Sequence, residues 1–137
     1  MKKMILTAAL AVAAFGAHAA EIEGKWRTVD DETKKPKAIV HITQNGGVFS
    51  GKIVAVADGV DNNCTECKQP GALIGRTVLT GLKEVNGKYE GGKITDPKSG
   101  KTYSAKAELG SDGKSLKVRG YLGVSALGRT QTWQRAD

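Results

Sequence analysis

Turn-forming residues recur along this chain at intervals too short for a helix to develop between them. Asp30-Asp31-Glu32 through Pro36, Asn45-Gly46-Gly47, Asn86-Gly87, Asp96-Pro97-Lys98-Ser99-Gly100 and Ser111-Asp112-Gly113 each supply residues that tolerate positive φ or preset a turn. The stretches between them run to about 6–10 residues and have strand-like composition, a spacing that predicts an all-β sandwich or barrel. Within Thr102 to Leu109 the two-residue period is clean: Tyr103, Ala105, Ala107 and Leu109 share one face, and Thr102, Ser104, Lys106 and Glu108 the other. Leu116 and Val118 alternate likewise with Lys117 and Arg119. Phe49, Ile53 and Ala55 oppose Val48, Val54 and Val56, which predicts a strand covered on both sides.

Eight strands are expected, over Lys25–Val29, Lys37–Gln44, Val48–Ala57, Thr77–Val85, Lys88–Thr95, Lys101–Leu109, Ser115–Leu122 and Leu127–Gln134. Nearly all are joined by short hairpins, so the meander either exposes two edges or closes on itself. Closure is the usual solution at this strand number, giving an antiparallel up-and-down barrel. A membrane-spanning barrel is disfavoured, because such barrels carry aromatic girdles and an apolar outer band. Here the aromatic residues after the N-terminal segment are Trp26, Phe49, Tyr89, Tyr103, Tyr121 and Trp133, while the expected outer faces carry Lys106, Glu108 and Lys117.

The N-terminus reads as an export signal: Lys2 and Lys3 precede an apolar run from Met4 to Phe15, and Ala17-His18-Ala19 has the small-x-small form of a cleavage site. The run is shorter than the roughly 20 residues a spanning helix needs. Residues 1–19 are therefore expected to leave, and 20–137 to form one domain located in the periplasm or secreted. Loss of Lys2 and Lys3 lowers the formal charge of +7 to +5. Such a surface suits anionic envelope components, but its cations are scattered singly, and nucleic acid is not an expected partner.

Cys64 and Cys67 lie in the one long connection, between Asp58 and Arg76. In an oxidising compartment a disulfide is the preferred reading, a clip that shapes a long loop. A thioredoxin-type redox pair needs a helix N-terminus in a βαβ setting, which is not expected here. Covalent haem attachment needs a histidine where Lys68 stands, and zinc would need further ligands when His41 is the remaining histidine. Neither a metal site nor a cofactor is expected.

No catalytic constellation emerges, since His41 has no nucleophile placed beside it by any motif. Asp30, Asp31 and Glu32 lack the spacing of a calcium loop, and Asp96 to Gly100 reads as an ordinary turn. More telling are the ends of the domain. If the meander closes, Trp26 neighbours the last strand and seals the barrel floor, with Arg129 or Arg135 over its indole face. Arg129, Gln131 and Trp133 share a face and could instead point into a cavity and hold an anionic head group. The candidate lining of such a cavity is Trp26, Tyr103, Arg119, Tyr121, Arg129 and Trp133.

The Gly-x-Trp opening, the eight-strand meander and a late arginine resemble the lipocalin and fatty-acid-binding (calycin) superfamily. A bacterial family of small exported proteins, catalogued as a domain of unknown function, is more closely similar. The likeness rests on "GKWRTVDDETKKPKAIVHI", the "CTEC" pair, "GLKEVNGKYEGGKITDPKSGKTYSAKAEL" and "LKVRGYLGVSALGRTQTW", which together cover essentially all of the chain after the signal. Where that family often has Tyr before Asp-Pro, this chain has Thr95. The resemblance implies a lipocalin-like barrel outside the cytoplasm and assigns no activity.

Two functions are compatible with these residues. The first is a carrier enclosing a small apolar or amphipathic ligand, with Gly71 to Gly75 as a lid; eight strands can enclose one such molecule or simply fill with side chains. The second is a solid-cored envelope interaction module that binds a protein or anionic glycolipid through its basic surface or long loop. An enzyme is the least supported class.

Overall fold

The computed structural model describes residues 21–124 and 127–137. The proposed signal, residues 1–19, lies outside the described residues. Among the described residues, ten strands occur in the order β1 (Gly24–Val29), β2 (Pro36–Asn45), β3 (Val48–Val56), β4 (Asn63–Cys64), β5 (Gly71–Ala72), β6 (Thr77–Val85), β7 (Lys88–Thr95), β8 (Thr102–Leu109), β9 (Ser115–Tyr121) and β10 (Arg129–Arg135). Eight of them close a barrel of order β1-β10-β9-β8-β7-β6-β3-β2, and β4 and β5 form a separate two-stranded ribbon. Each barrel strand thus neighbours the strands before and after it in the meander, and every pairing is antiparallel. Closure is direct: Trp26 pairs with Arg135 and Arg27 with Gln134.

The turn residues explain the hairpins. Asn86 (φ 53°) and Gly87 (φ 83°) both take positive φ between β6 and β7, the geometry of a two-residue type I′ turn. The strands reach one residue beyond the sequence expectation at Gly24, Pro36 and Arg135. The last strand begins two residues later than expected, at Arg129. The long connection, expected without regular structure, contains the β4–β5 ribbon, in which Asn63 pairs with Ala72 and Cys64 with Gly71.

Alternation places one continuous core inside the barrel, built from side chains of every wall strand. Trp26, Ile42, Leu79, Leu82, Ala105 and Leu116 each have 0% of their surface exposed. None of these residues has surface that a water-sized sphere can touch, from outside or from an internal void, so atoms of the protein contact them all round. Glycines on the inner wall leave space that side chains of the neighbouring strands fill. A Cβ added at Gly51 would lie 2.8 Å from Val40 Cγ1, and one at Gly92 2.7 Å from Leu82 Cδ2. Phe49 and Tyr89 meet edge to face, with ring centroids 5.2 Å apart, a favoured aromatic arrangement.

Candidate functional site

The two ends of the barrel are closed by different devices. At the floor, Ile22 is fully buried and its carbonyl accepts a hydrogen bond from Trp26 Nε1 at 2.9 Å. Arg135 lies over the Trp26 ring, 4.3 Å from its centroid, as expected of one of the two late arginines. Its guanidinium also donates from Nε to the Gly113 carbonyl (2.8 Å), from Nη1 to Glu23 (2.9 Å) and from Nη2 to Glu21 (3.1 Å). One planar fork thus holds the segment before β1, the β8–β9 hairpin and the indole together.

At the mouth, Leu73 from the long connection packs against the core. Asn62 fixes that segment, its Oδ1 accepting from the Leu73 and Ile74 amides at 3.1 and 2.9 Å. Cys64 and Cys67 are joined in a disulfide, and Cys67 is buried. The Lys68 amide donates to the carbonyls of Pro97 (3.3 Å) and Lys98 (2.9 Å), which ties the clip to the β7–β8 turn. Glu66 and Lys98 add an exposed ion pair at 3.7 Å. The apolar stretch expected to form a lid therefore divides, with Leu73 reaching the core and Ile74 44% exposed.

The six candidate lining residues are not brought to one place. Trp26 and Trp133 are buried in the core, and Trp133 Nε1 donates to Gln131 Oε1 at 2.8 Å. Gln131 Nε2 in turn donates to Asp31 Oδ1 in the β1–β2 hairpin, so this polar chain occupies the inner wall at the mouth. Tyr103 is half-buried, opposite Ile94. Arg129 pairs with Gly120 at the rim and is exposed. Arg119 and Tyr121 correct the cavity expectation, since they alternate with inward Leu116 and Val118 and therefore face outward. The Arg119 guanidinium donates to Thr130 Oγ1 at 2.6 Å, and the Lys106 ammonium lies 6.0 Å from the Tyr121 ring centroid.

On that outer wall the sheet opens into a shallow recess of about 190 Å³ lined by cations from three strands: Lys88, Lys106, Lys117 and Arg119. Glu90 and Glu108 also border it. A register shift between Tyr89 and Gly92 shows where β7 bulges from β8, and Gly91 (φ 76°) supplies the positive φ there. Tyr89 backs the recess from the core side; its burial, followed by the nearby Glu84 carboxylate, pushes its phenol above the ordinary range. Sequence reasoning placed Lys106 and Lys117 outward but did not bring them together. The signal was present in the Ser111-Asp112-Gly113 turn, which sets Leu109 opposite Leu116 and hence Lys106 opposite Arg119.

A closed eight-stranded antiparallel meander with its first and last strands paired and a tryptophan at its floor is a lipocalin-like barrel. The solved structure of protein HP1028 from the human pathogen Helicobacter pylori, described as belonging to the lipocalin family, is similar to it. The two are 25% identical with a TM-score of 0.67, over 85% of this chain and 84% of that one. Residues 24–135 match the profile of DUF2147, a family described as uncharacterised protein conserved in bacteria, and the chain belongs to that family. No curated protein matches it.

Proposed function

We propose that this protein is an exported, non-enzymatic binding module that recognises an anionic component of the bacterial envelope at its outer wall. The observation that carries this reading is the filled interior. A passenger inside the barrel would have to displace side chains that already contact one another, among them Trp26, Leu79, Leu82 and Leu116. Displacing such packing costs several kcal/mol, of the order of about 2–5 for each large side chain. Binding is therefore assigned to the surface, where the chain is basic and the wall carries the recess of lysines and arginine. Export is supported by the basic and apolar pattern of residues 2–15 and by the Cys64–Cys67 disulfide, which fits an oxidising environment.

A second reading, a small amphipathic ligand, is supported by the fold and by the half-buried Tyr103 and Ile94 near the exposed Arg129 at the mouth. It would occupy the rim and not a deep cavity. Co-sedimentation with vesicles separates the two. The surface reading expects retention on phosphatidylglycerol vesicles over phosphatidylcholine vesicles, weakened as salt rises from 50 to about 500 mM. Equal, salt-insensitive binding to both vesicle types would contradict it.

A further inference from the structure

Among the described residues, five large apolar side chains are exposed: Ile74, Val85, Leu122, Val124 and Leu127. Isolated exposed apolar residues are ordinary on a protein surface, but these are not spread evenly. Three of them lie within residues 122–127, between β9 and β10. Successive connections of a closed meander alternate between its two ends, so this loop shares the mouth with the β3–β6 connection that carries Ile74, while Val85 ends β6 at the floor. Leu122, Val124 and Leu127 keep 62, 59 and 79% of their surface exposed, so each projects from the barrel instead of flooring a groove.

The loop holds its own shape. Gly120 pairs with Arg129 at its base, a Cβ at Gly128 would lie 2.7 Å from Tyr121 Cβ, and the Leu127 amide donates to the Val124 carbonyl at 3.1 Å. Its two limbs therefore meet, and the core beneath them is already filled, so these side chains have no place to fold inward.

The charge around the tip selects its partner. From Lys114 to Ala136 the chain carries Lys114, Lys117, Arg119, Arg129 and Arg135 and no carboxylate side chain. The neighbouring turn from β1 into β2 balances Asp30, Asp31 and Glu32 with Lys34, Lys35 and Lys37. An apolar tip on a wholly basic hairpin is repelled by a second copy of itself and attracted to an anionic lipid surface, where apolar burial and head-group attraction act together. Projecting side chains also suit a fluid bilayer, which needs no complementary contour.

We infer that the β9–β10 loop is a membrane-inserting tip that places Leu122, Val124 and Leu127 among the acyl chains of an anionic bilayer, with the exposed Arg129 at the level of the head groups. This rests on the surface-binding reading above and names the part of the protein that enters the lipid.

Leu127→Trp places a fluorophore at the tip and Val85→Trp one at the floor, against a background of Trp26 and Trp133, which are both buried. With phosphatidylglycerol vesicles whose acyl chains are brominated, the expected result is strong quenching of Leu127→Trp and no quenching of Val85→Trp beyond that of the parent. Leu122→Ser and Leu127→Ser each weaken partition into unbrominated phosphatidylglycerol vesicles about tenfold, and together they remove the binding that survives at about 500 mM salt. Val85→Ser leaves partition unchanged. Both leucines are exposed, so the urea midpoints of the serine variants stay at the parent's value.

Quenching of Val85→Trp in place of Leu127→Trp, or undiminished partition of the double serine variant, overturns the inference; salt-sensitive retention on phosphatidylglycerol vesicles would then leave the surface reading standing. Absence of retention for the parent protein overturns both. A dimer formed without lipid and abolished by the two serine substitutions would assign the tip to a second copy and overturn the inference as well.

Discussion

Gly51→Ala tests, by the sign of its effect, how closely side chains of the neighbouring strands β2 and β6 pack over the inner wall of β3. Gly51 is buried on the inner wall of β3, and its φ lies outside the left-handed region, so alanine can adopt the backbone conformation. Replacing a strand glycine at such a position removes freedom from the unfolded chain and by itself stabilises by about 0.4–1 kcal/mol. The new methyl, however, would lie 2.8 Å from Val40 Cγ1, 3.3 Å from Leu79 Cβ and 3.5 Å from Ile42 Cγ1. Val40 is β-branched, stiff at χ1 and 2% exposed, so it cannot swing aside cheaply. Overpacking of this kind costs about 1–3 kcal/mol, which leaves a net loss of roughly 0.5–2 kcal/mol and a fall in Tm of roughly 2–8 °C. Urea unfolding followed by the fluorescence of Trp26 and Trp133 measures it. A variant as stable as the parent, or more stable, would show that room exists beside Val40 and would refute the packing argument.

Arg135→Ala removes the indole contact and three hydrogen bonds to carbonyls, for an expected loss of about 2–4 kcal/mol, and Arg135→Lys recovers only part of it; urea midpoints measure both. The Asp30 carboxyl accepts from the amides of Thr33 and Glu32, which hold it below the ordinary carboxylate range. Because its folded value is depressed, its contribution is complete above the ordinary range and is lost as pH falls through that lowered value. Thr33 and Glu32 amide shifts should therefore titrate together at acid pH, and Asp30→Asn should abolish the transition. Reduction of Cys64–Cys67 opens a four-residue ring and should cost at most about 2 kcal/mol, with hydrogen exchange rising first at Lys68, whose amide ties the clip to the β7–β8 turn.

Strand positions were legible because turn chemistry and two-residue alternation are local. Asn86-Gly87 and Asp112-Gly113 identify hairpins without reference to the rest of the chain, and Trp26 with Arg135 follows once closure is assumed. Whether the barrel is hollow was not legible. Alternation says which residues face inward, but whether they fill the interior depends on register and side-chain volume between strands, as where Val40 covers Gly51 and Leu82 covers Gly92 from the neighbouring strand. The Ile22 plug was missed because it precedes the first strand and bears no periodic pattern. Arg119 and Tyr121 were misassigned to a cavity although their own alternation with Leu116 and Val118 turns them outward. The recess depends on register between strands and on the bulge at Gly91, neither of which a single strand reveals.

Native mass spectrometry of protein isolated from its native source without detergent tests the central claim most directly. The account predicts the mass of the bare, disulfide-bonded chain, with no apolar passenger. A lipid or other apolar molecule bound one to one, and lost only when the barrel unfolds, would contradict it.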